Sequence, residues 1–513
     1  MKKTHLMTVA KDVQSLSNIK KWLQSCEWRP RLIVLGTSFL LMCSTLSFAN
    51  PTGGQVTAGQ AAIAGEGTSS VNINQSSGKA IINWQTFNIN ANESTHFQQP
   101  AGGVALNHIN GNNGVSQIYG HLSASGQIIL LNAAGIYFGP SAMVNVGGII
   151  ASTARLHNDD FMHGNYNFTH VGSGSITNDG TIIAASHGLV ALVGSNVTNN
   201  GLIQANLGHV VLATGDAYTV SMAGNDMINF AVTANAKHGG KITNNGTIRA
   251  NGGSVLMTAN AAAAMLDDTI DMNGVVEAKS VGTHHGQIIL NGNGGTVYVS
   301  GKLIASGRHH HQTGGTVEVL GNQVALTGNA LVDVSGNDGG GTILIGGNAH
   351  GAGPQQDATQ TYIGPDVNLY ADAITNGNGG TVVVWSNYYT QFYGSIFARG
   401  GAQGGNGGWI ETSGSALNVG ANSMVNASAP YGQAGSWLLD PTNIYIASSL
   451  ANANAAGMSG SDESANTGTG TNPEVFAASG AVTDSLVLTS TIDTALNTTG
   501  TDVEITTENA LGT

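Results

Sequence analysis

Gln98 to Leu156, QQPAGGVALNHINGNNGVSQIYGHLSASGQIILLNAAGIYFGPSAMVNVGGIIASTARL, is the stretch whose reading decides the fold. Its apolar runs are short, Gln127-Ile128-Ile129-Leu130-Leu131 and Gly135-Ile136-Tyr137-Phe138. Between them stand Asn, Gly and Ser, residues that tolerate left-handed backbone and write tightly turning β-structure. No 3.6-residue period fits the stretch, so strands and turns are expected throughout. Just upstream, Ala80 to Asn90 reads A-I-I-N-W-Q-T-F-N-I-N. Ile82, Trp84, Phe87 and Ile89 there alternate with amides, the period-two pattern of a strand with one buried face. Trp84 is expected to be a buried aromatic, not a ligand platform.

The whole composition suits a repetitive array. Of 513 residues, 74 are Gly and 9 are Pro; 41% are hydrophobic and only 9% charged. Such a chain can bury apolar surface yet needs many turns, which excludes both a disordered polyelectrolyte and collagen. Seven of its 16 cationic residues precede residue 50. The remainder carries 9 Lys and Arg against 27 Asp and Glu, too few scattered cations to hold a nucleic-acid backbone. Both cysteines, Cys26 and Cys43, also precede residue 50, so the remainder has none; chance in a low-Cys composition accounts for this as well as a need to avoid disulfide-closed loops during export does.

Residues 1–49 read as a long secretory signal. Basic residues lead into an apolar run from Leu32 to Leu46, and Ser47-Phe48-Ala49 places small residues at −3 and −1 for cleavage between Ala49 and Asn50. The run is too short and too interrupted for a stable membrane span, and Met42 before Cys43 argues against a lipoprotein site.

Between Asn50 and Phe168 the chain resembles the amino-terminal secretion domain of the filamentous haemagglutinin family, large bacterial exoproteins exported by two-partner secretion. The resemblance rests on I-I-N-W-Q-T-F-N-I from Ile81, F-Q-Q-P from Phe97, S-Q-I-Y-G-H-L-S-A-S-G-Q-I-I-L-L-N from Ser116, F-G-P-S-A-M-V-N-V-G-G-I-I-A-S-T from Phe138 and D-F-M-H-G-N-Y-N-F from Asp160. The family's Asn-Pro-Asn-Gly-Ile secretion motif stands here as Asn132-Ala133-Ala134-Gly135-Ile136, without its Pro and second Asn, and a second motif, Asn-Pro-Asn-Leu, is absent. The resemblance implies a secreted or cell-surface protein of a Gram-negative bacterium. It makes Asn132, Gly135 and Ile136 the secretion motif and the periplasmic modules of a dedicated outer-membrane transporter the partner. It also implies an adhesive, virulence-related or structural use toward a host-cell or glycan receptor.

Beyond Val171 an approximate repeat appears: T-N-D-G-T-I-I-A-A from Thr177, T-N-N-G-L-I-Q-A-N from Thr198, T-N-N-G-T-I-R-A-N from Thr243 and M-N-G-V-V-E-A-K from Met272, then V-S-G-K-L-I-A-S-G and F-Y-G-S-I-F-A-R-G from Val299 and Phe392. Their glycines, Gly180, Gly201, Gly246, Gly274, Gly301 and Gly394, predict one coil per 20–30 residues with some coils unrecognised. Second strands such as His209-Val-Val-Leu-Ala and Gly315-Thr-Val-Glu-Val fall between them. An all-β, right-handed parallel β-helix is therefore expected; a propeller would need longer blades and a recurrent signature. Residues 50–170 are expected to form the secretion domain and 171–446 the β-helix repeats. Residues 447–513 read as a Ser/Asn/Gly-rich linker over Ala447–Asn472 followed by further strands from Leu486 and Val503. The chain stops without an evident polar cap, which suggests a shortened relative or fragment of a longer exoprotein.

No catalytic set is expected. Arg308-His309-His310-His311 and His284-His285 lack the Cys or spaced acids of a metal site and read as solvated loops. Asp267, Asp268, Asp271 and Glu277 suggest the carboxylates of a β-helical polysaccharide-active enzyme, but only Lys279 and Arg249 accompany them. G-G-N-G-G from Gly404 lacks the Lys-Ser/Thr of a phosphate loop, and Asn-X-Ser/Thr triplets such as that at Asn196 read as corner asparagines. No cofactor or metal is assigned. The delivery stalk of a contact-dependent toxin is the remaining alternative; it needs an effector domain that nothing before Thr513 resembles.

Overall fold

The computed structural model describes residues 50–223, 226–236, 240–260, 268–459, 475–476 and 482–507. Cys26, Cys43, Ala49 and Asp267 lie outside them, so the leader, its cleavage site and one of the weighed acids are not described.

The chain winds as a right-handed parallel β-helix. Most coils contribute one short strand to each of three faces, while Thr381–Phe392 and Trp409–Val419 each run on across the first two. Gln127–Leu131, Ile136–Phe138 and Met143–Val146 make one coil; Gly148–Ser152, Ile176–Asn178 and Thr181–Ala184 make the next, in parallel register on all three faces. On the first face the register runs Ile128, Ile149, Val190, Val210, Val255, Ile288, Val317, Ile343, Val382, Ile410, Trp437. All of these are essentially inaccessible and join one continuous core. β-branched side chains fill such a column because each stands on a like neighbour one rung away. The first coil is closed differently: Gln55–Ala58 and Ala61–Ala64 pair antiparallel with the strands they meet.

The corners explain the repeat. In T-N-D-G and T-N-N-G, the Asn after Thr turns inward and the following Asp or Asn outward. Asn178 Nδ2 donates to Asn199 Oδ1 (2.8 Å) and Asn199 Nδ2 to Asn244 Oδ1 (2.7 Å), all fully buried. Outside, Asn200 donates to Asp179, Asn245 to Asn200 and Asn273 to Asn245. The following glycines stack: a Cβ on Gly201, Gly246, Gly274 or Gly301 would collide with the carbonyl oxygen of the glycine one coil below. A second column, Gly188, Gly208 and Gly253, then Gly315, Gly341, Gly380, Gly408 and Gly435, does the same where the third face turns into the first. Close approach of backbone to backbone is the reason for this glycine content.

The 93 residues from Gly301 to Gly394 hold two coils with other corner sequences, whose third-face strands are Leu331–Asp333 and Asn368–Tyr370. The second strands of the repeat fall on two faces rather than one, since His209–Thr214 lies on the first and Thr296–Val299 on the second.

The structure departs from a plain solenoid in two places. The D-F-M-H-G-N-Y-N-F stretch leaves the coil as a short helix, Asn158–His163, ended by left-handed Gly164, and a strand, Tyr166–Thr169. Ala217–Ala223 and Asp226–Ala234 form a hairpin that joins it, giving a four-stranded antiparallel sheet with Arg155–Leu156. That hairpin is why Gly201 and Gly246 stand so far apart. Near the carboxyl end, a strand, Tyr445–Ala447, ends at the first residue of the expected linker, and a helix, Leu450–Ala455, capped by Ser449, lies within it. The rest of that linker, from residue 460, lies outside the described residues. Leu486–Leu488 is a strand as expected, but a helix, Thr489–Asp493, follows at once; Asp502–Ile505 is the strand read from Val503.

Candidate functional site

The Asn132-Ala133-Ala134-Gly135-Ile136 segment is the corner between the first and second faces of an early coil. Gly135 N donates to Asn132 O (3.0 Å), closing a turn, and Ala134 N donates to Asn132 Oδ1 (3.0 Å). An Asn side chain makes this local bond readily, which is why it starts such turns. Asn132 is fully buried, and its Nδ2 reaches the preceding coil, donating to Gly114 O (3.0 Å) and Ser116 Oγ (2.9 Å). Its own N–H donates upward to Ser152 O (3.0 Å). Gly135 has φ +114°, and a Cβ there would stand 2.7 Å from Ser175 O of the next coil. Ile136 is fully buried and pairs with Ser116 below and Ile176 above. These five residues therefore tie three successive coils, and the folded corner offers no Asn132 side chain to a visitor.

A second feature lies on the first face. Strands exposed on one side alternate apolar and polar, whereas Gln127–Leu131, Gly148–Ser152 and Leu189–Val193 are buried at every position. Their outward residues, Ile129, Ile150 and Ala191, are covered by the short helix through Phe161 and by the antiparallel sheet through Phe168, Tyr218 and Phe230. Phe168 stacks on Tyr218 at 4.5 Å and Tyr218 on Phe230 at 5.2 Å. Lys79 Nζ ties the helix end, donating to Phe161 O (2.8 Å) and Met162 O (3.1 Å), and lies near the Phe161 and Tyr166 rings.

The other sequence candidates fall apart as sites. Trp84 is buried, donating to Asn107 Oδ1 (2.9 Å) and packing edge-on to Phe87. His284, His285, His309, His310 and His311 are exposed on loops; His311 meets Asp338 (3.1 Å) and His285 meets Thr313 (3.2 Å). Among the described residues no cluster of His, Cys, Asp and Glu has metal-holding geometry. Asp271 pairs with Lys241 (2.6 Å), and Glu277 with Arg249 (3.1 Å) and Lys279 (2.7 Å). Burial opposes ionisation of Glu277, but the two cations outweigh it and hold its carboxyl below the usual range. Both carboxylates are thus engaged in ion pairs.

Sequence reading missed the buried acids Glu93, Asp333, Asp372, Asp440 and Glu411, of which Glu411 is the most enclosed. Glu411 is inaccessible and accepts from the His350 backbone N–H at 3.1 and 3.3 Å, and the His350 Nδ1 lies 3.8 Å from Glu411 and 4.0 Å from Asp440. Burial raises its carboxyl above the usual range, against the opposing pull of His350. Only the register, which places Glu411 between Val383 and Leu438, marks it as unusual.

A family model described as the TPS secretion domain matches residues 47–305. The crystal structure of the HMW1 secretion domain from Haemophilus influenzae superposes with a TM-score of 0.66 at 30% identity, over 76% of this chain and 100% of that one. Two heme/hemopexin-binding proteins of Haemophilus influenzae are 33% identical over 195 residues and 32% identical over 144 residues. Those matches cover 36% and 27% of this chain but only 21% and 15% of the relatives, so the chain spans a small part of their length. Substrates of this family cross the outer membrane of Gram-negative bacteria to the cell surface or medium, and the domain implies a partner transporter in that membrane. The chain belongs to the two-partner secretion (TPS) domain family.

Proposed function

We propose that residues 50–170 address the outer-membrane transporter while unfolded, that Asn132, Gly135 and Ile136 are the core of that address, and that residues 171–446 form the β-helical shaft the transporter releases. The observation that supports this reading is the burial of Asn132 with every polar atom of its side chain engaged. A transporter can read that amide only before the coils close. Extended segments such as Ile128–Leu131 suit pairing by strand addition, in which backbone bonds give affinity and alternate side chains specificity. Once outside, each new coil finds a ready edge on the last, so winding proceeds rung by rung and favours forward movement without ATP. Folding then recruits residues beyond the address, because Tyr166–Thr169 pairs with Ala217–Ala223.

The finished shaft is proposed to serve as an adhesin or cell-surface structure with no catalytic activity. The ion-paired state of Asp271 and Glu277 disfavours the polysaccharide-cleaving alternative. The ligand in the relatives' names stays with those relatives, given the small share of them that is matched. The test replaces Asn132 and Gly135 by Ala in cells that carry the cognate transporter. Release into the medium is expected to stop while periplasmic delivery continues; unchanged release would refute the motif assignment.

A further inference from the structure

The outward column of the first face continues past the region that the antiparallel sheet covers. In register it runs Ile129, Ile150, Ala191, Val211, Leu256, Ile289, Glu318, Leu344, Val383. Up to Val211 the sheet buries it, and at Leu344 and Val383 the Trp385 side chain and the turn at Ala349 bury it again. Leu256, Ile289 and Glu318 remain half-buried. They floor a cleft of about 350 Å³, walled by Phe230 and Val232 on one side and by Pro354 to Gln356 on the other. Gln356 Nε2 pins the second wall by donating to Asn293 O (2.8 Å). The chain therefore covers an apolar column at both ends and leaves three rungs open between two fixed walls.

Within that floor Glu318 is out of place. No hydrogen bond or ion pair reaches its carboxylate from the described residues, and burial alone lifts its carboxyl above the usual range. Leu256, Ile289 and Phe230 beside one unpartnered carboxylate, with the neutral Thr258 and Asn291 along the same edge, complement an alkyl chain ending in a cation, the shape of a lysine or arginine side chain whose stem packs while its head pairs. The excess of 27 Asp and Glu over 9 Lys and Arg from residue 50 onward draws such a partner toward the surface. We propose that this cleft binds a basic side chain, lysine or arginine, presented by a partner polypeptide, with Glu318 as the anionic contact and Leu256 and Ile289 as the apolar floor. The site is independent of the export reading, since it lies outside the address and exists only in the folded coils.

The test titrates the full secreted chain with the peptide acetyl-Leu-Lys-Leu-amide, followed by NMR, and with the same peptide acetylated on the lysine amine. Saturable millimolar binding is expected for the free amine, about tenfold weaker for the acetylated form. Glu318→Gln keeps the shape and should give the same loss. Ile289→Lys places a cation on the neighbouring rung and should weaken binding by about tenfold or more, while thermal unfolding confirms that each variant is folded. Equal binding of both peptides would overturn the proposal in favour of a neutral polar ligand such as a glycan. Binding unchanged in Glu318→Gln, or no saturable binding to the unmodified chain, would overturn it outright.

Discussion

Asn132 and Asn199 are both fully buried corner asparagines, yet they are wired differently. Asn199 is a middle rung: it accepts from Asn178 and donates to Asn244, so the same bond recurs along the shaft. Asn132 belongs to no ladder. Its amide bonds the backbone of Gly114 and the hydroxyl of Ser116 in the preceding coil, and its carbonyl oxygen holds its own turn through Ala134. A repeated corner shares its load with identical neighbours, as solenoid energetics allow. A unique corner fixes one place in the winding, near where it begins.

The comparison breaks most visibly at Asn132. Asn132→Ala leaves Ala134 N–H, Gly114 O and Ser116 Oγ without their partner, and the local cost is expected to be about 2–4 kcal/mol. Hydrogen exchange should show the strands Ser116–Ile118 and Ile136–Phe138 losing protection while the shaft beyond Gly246 keeps it. Asn199→Ala should cost less, about 1–3 kcal/mol, with lost protection confined to the coils on either side and with release into the medium near normal. Equal export defects in the two variants would erase the distinction.

Glu411 sharpens the contrast between covered and open parts of the first face. Its carboxyl titrates above the usual range because burial disfavours the charge. Its stabilising share is therefore present below the ordinary carboxylate pKa and lost as pH rises through the raised value. Glu411→Gln should raise Tm at neutral pH by about 1–2 °C, and the gain should vanish as pH falls below the carboxylate range; a constant offset would contradict the burial argument. The smallest effect is expected at the exposed outer ladder, where Asn200→Ala should change stability by no more than about 0.5 kcal/mol, measured by urea unfolding.

How far the sequence could be read follows from these same residues. The T-N-D-G and T-N-N-G corners were legible because each position fills a distinct place, with an inner amide, an outer Asp or Asn and a glycine against the carbonyl of the coil below. Asn132-Ala133-Ala134-Gly135-Ile136 was legible as a motif, but its bonds to Gly114 and Ser116 were not, since they depend on register between coils. The hairpin Ala217–Ala234 was hidden because it is itself strand-like and differs from the coil only in whom it pairs with. A signal for the cover existed in Gln127–Leu131 and Leu189–Val193, apolar at nearly every position where a one-sided strand would alternate. Glu318 and Glu411 gave no signal alone; they become anomalies only once the outward column is assembled.

The account turns on when Asn132 is accessible. The most direct measurement is binding of the transporter's isolated periplasmic modules to the secreted chain, either folded or freshly diluted from urea, with and without Asn132→Ala. The account predicts binding to the unfolded chain, weakened by the substitution, and none to the folded chain. Equal binding to the folded chain, or unfolded binding indifferent to Asn132, would contradict it.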